Sequence, residues 1–337
     1  MIKELTPIRF ALCMMIFAHH AYSYVAGGTA AVAAFFILSG FCLTLGYKER
    51  IMSGNFNYID YLKVRFAKLY TIHWVTLLAF VIIAFCAGEL ILNKRLLLTN
   101  FLLLQSWIPE KLYYFSYNSI AWYLSTALFA YLCFPMIIMM LHKIQLKQRI
   151  GLFVAMLIGY GAVAYAMPTE NYHAMLYVNP VCRCVDFVIG IYLAEWLRSI
   201  RLERICKYKW LFDLGIIASF VALNIVSIRL LDNLRLLGAF YWIPASAMIL
   251  CTCLASKVQS PLSKLLGSKV VQKTTACSFS MMMWSICVIK LFDLTSVANG
   301  AWGGVIIFFV MYVVAMISYW LIEKKLTNLI ISKVKAR

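Results

Sequence analysis

The sequence predicts an all-α fold, a polytopic membrane helix bundle of about ten transmembrane helices with both termini cytoplasmic. Three observations carry that expectation. Of 337 residues, 64% are hydrophobic and only 13% are charged, more apolar surface than a soluble domain of this length covers with its own polar groups. Apolar runs of about 18–22 residues recur along the chain, each long enough to cross a hydrocarbon core about 30 Å thick. Lysine and arginine are spread unevenly over the segments that join those runs. The short alternating strands of a membrane β-barrel do not fit the pattern.

The expected spans are 5–24, 29–47, 71–92, 117–141, 150–168, 181–197, 210–228, 237–256, 276–296 and 301–322. The first opens "ELTPIRF", where Thr6 suits an N-cap and Pro7 a first helical turn. It is too long for a cleavable signal peptide and no small-residue cleavage site follows its apolar region, so it is expected to be retained. Residues 48–70 mix aromatics and bases with a period near 3.6, which predicts a helix lying on the inner membrane surface. Residues 93–116 carry an apolar stretch too short to span, expected as a re-entrant or interfacial segment on the outer side. With no low-complexity linker, residues 1–337 read as a single membrane-embedded domain with no soluble accessory domain.

Placing the N-terminus inside puts 24 of the 31 lysines and arginines on the inner side, as the positive-inside rule requires. The net charge of +18 is then largely a topology signal facing anionic membrane lipids, and no nucleic-acid partner is expected. The eleven cysteines sit mostly in apolar segments without paired CxxC or His/Cys ligand spacing. No metal site and no disulfide framework are expected.

The stretch "FAHHAYSY" at 17–24 places two histidines near the end of the first span. Eleven residues separate Arg9 from His20, within about 20° of three full helical turns, so the two share a face roughly 16 Å apart along the axis. His19 points about 80° away. Ionisable groups in a span turn toward the bundle interior or a wet cavity, and histidine takes up protons near neutral pH. These residues alone leave two readings open, a working pair or a hydrated interface pair.

Several further stretches bear on that choice. "FFILSGF" at 35–41 and the Arg-x10-His spacing before it resemble hallmarks of the membrane acyltransferase-3 family. "YLKVRFAKLYTIHW" is similar to that family's basic Arg-x-x-(Arg/Lys)-x-Tyr-Pro segment, with Thr71 where proline is usual. "NSIAWYLSTALFAYLCFP" resembles its Trp-x-Leu-Ser element, and "NPVCRCVDFVIGIYL" its Arg-x-x-(Asp/Glu)-Phe-x-x-Gly element at Arg183, Asp186, Phe187 and Gly190. "SYWLIEKKL" resembles the closing Tyr-x-x-Ile-Glu signature with Glu323. The chain departs from the pattern at Ala127, where glutamate is usual, and at Ser285, where histidine is frequent.

The resemblance implies an integral protein of a bacterial inner membrane that moves an acyl group, acetyl by default, from cytoplasmic acyl-CoA to a hydroxyl of a glycan or lipid-linked sugar. In that reading His20 and Arg9 are catalytic, and Arg9, Arg65 and Lys68 hold the donor phosphates. Ser39, Asn118, Trp122, Ser125 and Arg183 are candidate substrate liners, each also suited to bridging helices. Arg183 and Asp186, three residues apart, are expected to pair with each other. His73 is expected to be structural, and Glu323 to pair with Lys324 or Lys325. Two other classes stay in view: a secondary transporter or lipid-linked glycan flippase, since intramembrane Arg and His also mark transport paths, and a catalytically silent relative.

Overall fold

A computed structural model describes residues 2–21, 27–200, 208–229, 240–295 and 302–335, and every regular element among them is helical. The helices are α1 (Leu5–Ala21), α2 (Gly28–Met52), α3 (Tyr58–Cys86), the short α4 (Lys94–Phe101) and α5 (Lys111–Tyr114), α6 (Trp122–Lys143) and α7 (Leu146–Ala166). They continue with α8 (Pro180–Ser199), α9 (Lys209–Arg229), α10 (Trp242–Val258), the short α11 (Pro261–Leu266) and α12 (Lys269–Thr275), α13 (Ser278–Asp293), α14 (Gly303–Ser318) and α15 (Lys324–Lys335). The expected span ends at 22–24, 237–239, 296 and 301 lie outside the described residues.

Among the described residues, seven continuous helical stretches are long and apolar enough to cross a membrane, two of them joining α12 to α13 and α14 to α15, or eight if α8 and the bent helical piece before it form one span. α1 and α10 are apolar but only 17 residues long, about 25 Å each. Among the described residues, seven or eight helical stretches thus meet the length and composition of a span, where ten were expected.

α2 is the hub. In its most apolar stretch 78% of residues are buried, against 6% in α7, so one packs in the bundle centre and the other faces the lipid. α2 packs chiefly on α8, and then on α1, α10 and α6. The reason is glycine. A Cβ on Gly40 would lie 2.0 Å from the Phe187 carbonyl oxygen, and one on Gly190 would lie 1.9 Å from that of Ile37. Each glycine lets the partner backbone in where no side chain fits, the small-residue packing of membrane helices. At the end of this pair, Lys48 binds Glu195 and Arg198 binds Glu49.

Two local expectations are corrected. α1 begins at Leu5, so Thr6 lies inside the helix and is not its N-cap. Residues 48–70 do not form a separate surface helix. α2 runs on to Met52, and α3 starts at Tyr58, capped by the Asn57 side chain accepting from the Asp60 backbone at 3.1 Å, and continues unbroken to Cys86. Its polar face lines a cavity. A period near 3.6 is the same whether the wet side of a helix meets headgroups or an internal cavity.

Residues 94–121 fold into short helical pieces joined by turns, with Leu103 and Tyr117 at positive φ (56° and 52°). None of these pieces is by itself long and apolar enough to cross a membrane, and the last of them, Ser119–Ala121, leads into α6 as part of its candidate span. Outward faces of the long helices, such as Leu78, Ile82 and Phe85 on α3, carry exposed apolar side chains. That is the expected surface for a lipid solvent.

Candidate active site in a basic cavity

α2 and α3 splay apart from the loop that joins them, and a cavity of about 1550 Å³ opens between them. Its wall includes the start of α1, the later half of α2, the first half of α3, Tyr123 and Tyr131 of α6, the α12–α13 junction, and residues of α15 with the turn before it. Four residues singled out in the sequence meet here: Arg9, Ser39, Arg65 and Lys68. They come from three helices, so only the tertiary fold assembles them.

Each cation is held differently. An Arg9 guanidinium nitrogen donates to Cys42 Sγ at 3.2 Å. Arg65 donates to the Tyr47 hydroxyl at 3.1 Å, and its guanidinium lies 5.4, 5.7 and 6.0 Å from the ring centres of Tyr47, Tyr61 and Tyr131. Such ring contacts fix its direction. Lys68 is exposed to the cavity and lies within electrostatic reach of Arg65, Arg9 and Glu323. Arg50 and Lys324 add to the same wall, against the carboxylates of Asp60 and Glu323. Like charges crowded into a cavity with low-dielectric walls repel one another and draw in anions.

Glu323 was missed as a site residue. It lines the cavity and accepts from the Ser280 hydroxyl at 2.5 Å, rather than pairing with its sequence neighbours. Lys324 instead sits 3.7 Å above the Trp320 ring. The backbone explains it: residues Tyr319–Glu323 form a π-helical turn between α14 and α15, whose extra residue re-aims the side chains that follow. The closing signature was the available signal, but regular helical spacing does not place Glu323 in the cavity.

The inner end of the cavity is aromatic. Tyr123 packs against Phe35 and Phe36 with ring centres 6.1 and 4.7 Å apart, and Ser39 lines the same cavity. His20 is not among the lining residues. It is exposed near the other end of α1, its ring 5.4 Å from that of His19, which packs against Gly28 at the start of α2. Counting along α2, Phe35 lies seven residues from Gly28, so the cavity ends about 10 Å short of the histidine pair.

The other candidate liners are built into the bundle and do not line this cavity. Asn118 donates to the Met283 carbonyl at 2.9 Å, and the Ser125 hydroxyl accepts from the Ser106 backbone at 3.4 Å. Trp122 packs on Tyr177 at 4.8 Å. Arg183 is 2% exposed and donates to Asp186 at 2.6 Å, to the Tyr177 carbonyl at 2.7 Å and to the Tyr241 hydroxyl at 2.5 Å. The expected Arg183–Asp186 pair is therefore formed, and it is buried. His73 is buried with Nε2 2.8 Å from the Asn100 carbonyl oxygen, tying α3 to α4. Among the described residues no cluster of three or more His, Cys, Asp or Glu is placed to hold a metal ion.

Comparison with known proteins gives this cavity a context. The chain matches the acyltransferase-3 family, described as an acyltransferase domain, over residues 2–324. It is 30% identical over 189 residues to the acyltransferase MdmB of Streptomyces mycarofaciens, an alignment covering 51% of this chain and 47% of that protein. The chain thus aligns with about half the length of that curated relative. No solved structure matches. On the match across nearly its whole length, the chain belongs to the acyltransferase-3 family.

Proposed function

We propose that this protein is an integral membrane O-acyltransferase. It takes an acyl group, acetyl by default, from acyl-CoA on the cytoplasmic side and passes it to a hydroxyl of a cell-envelope glycan or lipid-linked sugar. The observation that carries the reading is the convergence of Arg9, Arg65 and Lys68 on one cavity in a chain of this family. Coenzyme A brings several phosphate charges, and guanidinium groups held in fixed directions bind phosphate oxygens in pairs.

The chemistry assigns each group a task. The phosphate end of the donor rests on Arg65, Lys68 and Arg9, and the pantetheine arm points past Ser39 toward the Tyr123 end. His20 takes the proton of the acceptor hydroxyl as its oxygen attacks the thioester carbonyl. The carbon–sulfur bond breaks, and the CoA thiolate leaves and is then protonated. His20 lies outside this cavity, so in this reading the arm carries the thioester beyond the Phe35–Tyr123 end to meet the acceptor there.

The test is acetyl-CoA binding to the purified, detergent-solubilised protein, with Arg65→Ala and His20→Ala beside it. Wild type is expected to bind, Arg65→Ala to bind about 10- to 100-fold more weakly through loss of a charge-assisted contact, and His20→Ala to bind as wild type. Folded wild type that binds no acyl-CoA overturns the proposal in favour of a transporter or flippase.

A further inference from the structure

Resting on the donor reading above, we infer that the mouth of the cavity contains a separate subsite for the planar nucleobase of the donor, built on Phe56 with Tyr47 and Tyr58. The argument is one of order. From the α2–α3 loop inward, α3 presents Tyr58 and Tyr61, then Arg65, then Lys68, while α2 presents Arg50, then Tyr47, then Cys42 and Ser39. Tyr58 and Lys68 are ten residues apart, about 15 Å along the helix. Along α3 the rings therefore come first and the cations next, with Arg50 of α2 beside the rings, and Ser39 lies farthest from the loop near Tyr123.

A nucleotide with a long arm has the same order: base, phosphates, reactive end. The rings form one cluster, with Phe56 5.5 Å from Tyr61 and 6.4 Å from Tyr47, and Tyr61 5.1 Å from Tyr47. Tyr61 is buried and its hydroxyl donates to the Tyr131 carbonyl at 2.9 Å, so it supports the cluster. Phe56 and Tyr58 stand at the open side, half-buried and exposed respectively, and both line the cavity. Arg50, 5.9 Å from the Tyr47 ring centre, brings a further cation to the same place. Aromatic faces beside guanidinium groups hold a base by stacking while the charges take the phosphates. An aromatic membrane belt would turn these rings outward to lipid instead.

The test compares CoA with 4′-phosphopantetheine, which keeps the arm and one phosphate but lacks the base, on full-length wild type, Phe56→Ala and Phe56→Trp. Wild type is expected to bind CoA more tightly than phosphopantetheine. Phe56→Ala is expected to weaken CoA about tenfold while leaving phosphopantetheine unchanged, and Phe56→Trp to retain CoA binding. Unchanged CoA affinity in Phe56→Ala, or equal loss for both probes, overturns the base subsite and leaves the donor reading standing. Absence of binding by both probes to folded wild type removes the donor reading, and the subsite with it.

Discussion

At the scale of single residues, the cavity gives each cation a job that differs in kind. Arg65 is caged by three tyrosines and hydrogen-bonded to one of them, so its fork has one direction. Arg65→Lys keeps the charge but loses both the fork and the ring contacts, and donor affinity is expected to fall nearly as far as in Arg65→Ala; a titration with acetyl-CoA checks this. The two histidines differ as well. His20→Ala is expected to lower acyl transfer by about 10²- to 10⁴-fold, the usual contribution of a general base. His19→Ala, which removes a ring packed on Gly28, is expected to act mainly through stability. Turnover measured alongside the melting temperature separates the two, and equal activity in wild type and His20→Ala would remove His20 from the chemistry.

At the scale of elements, the α2–α8 crossing decides where the cavity wall stands. Ser39 and Cys42 line the cavity while Gly40 faces α8, so the packing glycine fixes the position of both neighbours. Gly40→Ala or Gly190→Ala forces two backbones apart and is expected to cost on the order of 3 kcal/mol, with loss of folded protein on size-exclusion chromatography. Gly46→Ala, with nothing within 4 Å of its Cβ, is the matched control and is expected to be neutral or slightly stabilising.

Much of this was legible in the sequence. The long apolar runs announced the helices, and the motif basics Arg9, Arg65 and Lys68 do share one cavity. What the sequence hid has physical causes. Periodicity cannot tell a headgroup from a wet cavity, which is why the start of α3 read as a surface helix. A π-helical turn breaks the 3.6 count, which is why Glu323 read as a partner of the adjacent lysines. Asn118, Trp122 and Ser125 are polar or aromatic groups in a span, and such groups satisfy one another across helices as readily as they meet a ligand.

At the scale of the whole molecule, the basic cavity and the ion pairs at the ends of α2 and α8 lie at one end, and the histidine pair at the other. The positive-inside rule predicts that the basic end faces the cytoplasm. A reporter that works only in the cytoplasm, fused after Arg337, is accordingly expected to be active, and the same reporter inserted near Glu170 to be silent. The opposite pattern would invert the molecule and place the cavity on the wrong side for a cytoplasmic donor. The glycine crossing also bears on how the protein is made. Gly40 leaves the ribosome about 150 residues ahead of Gly190, a gap of roughly 8–30 s at ordinary elongation rates of about 5–20 residues per second. Through that interval the most buried helix of the finished bundle has been synthesised without the partner that will cover its groove. Its earlier partners in the finished bundle are α1 and α6, so the Ser39–Cys42 part of the cavity wall meets its covering helix only once about half of the chain has been made, and the wall is complete only with α15.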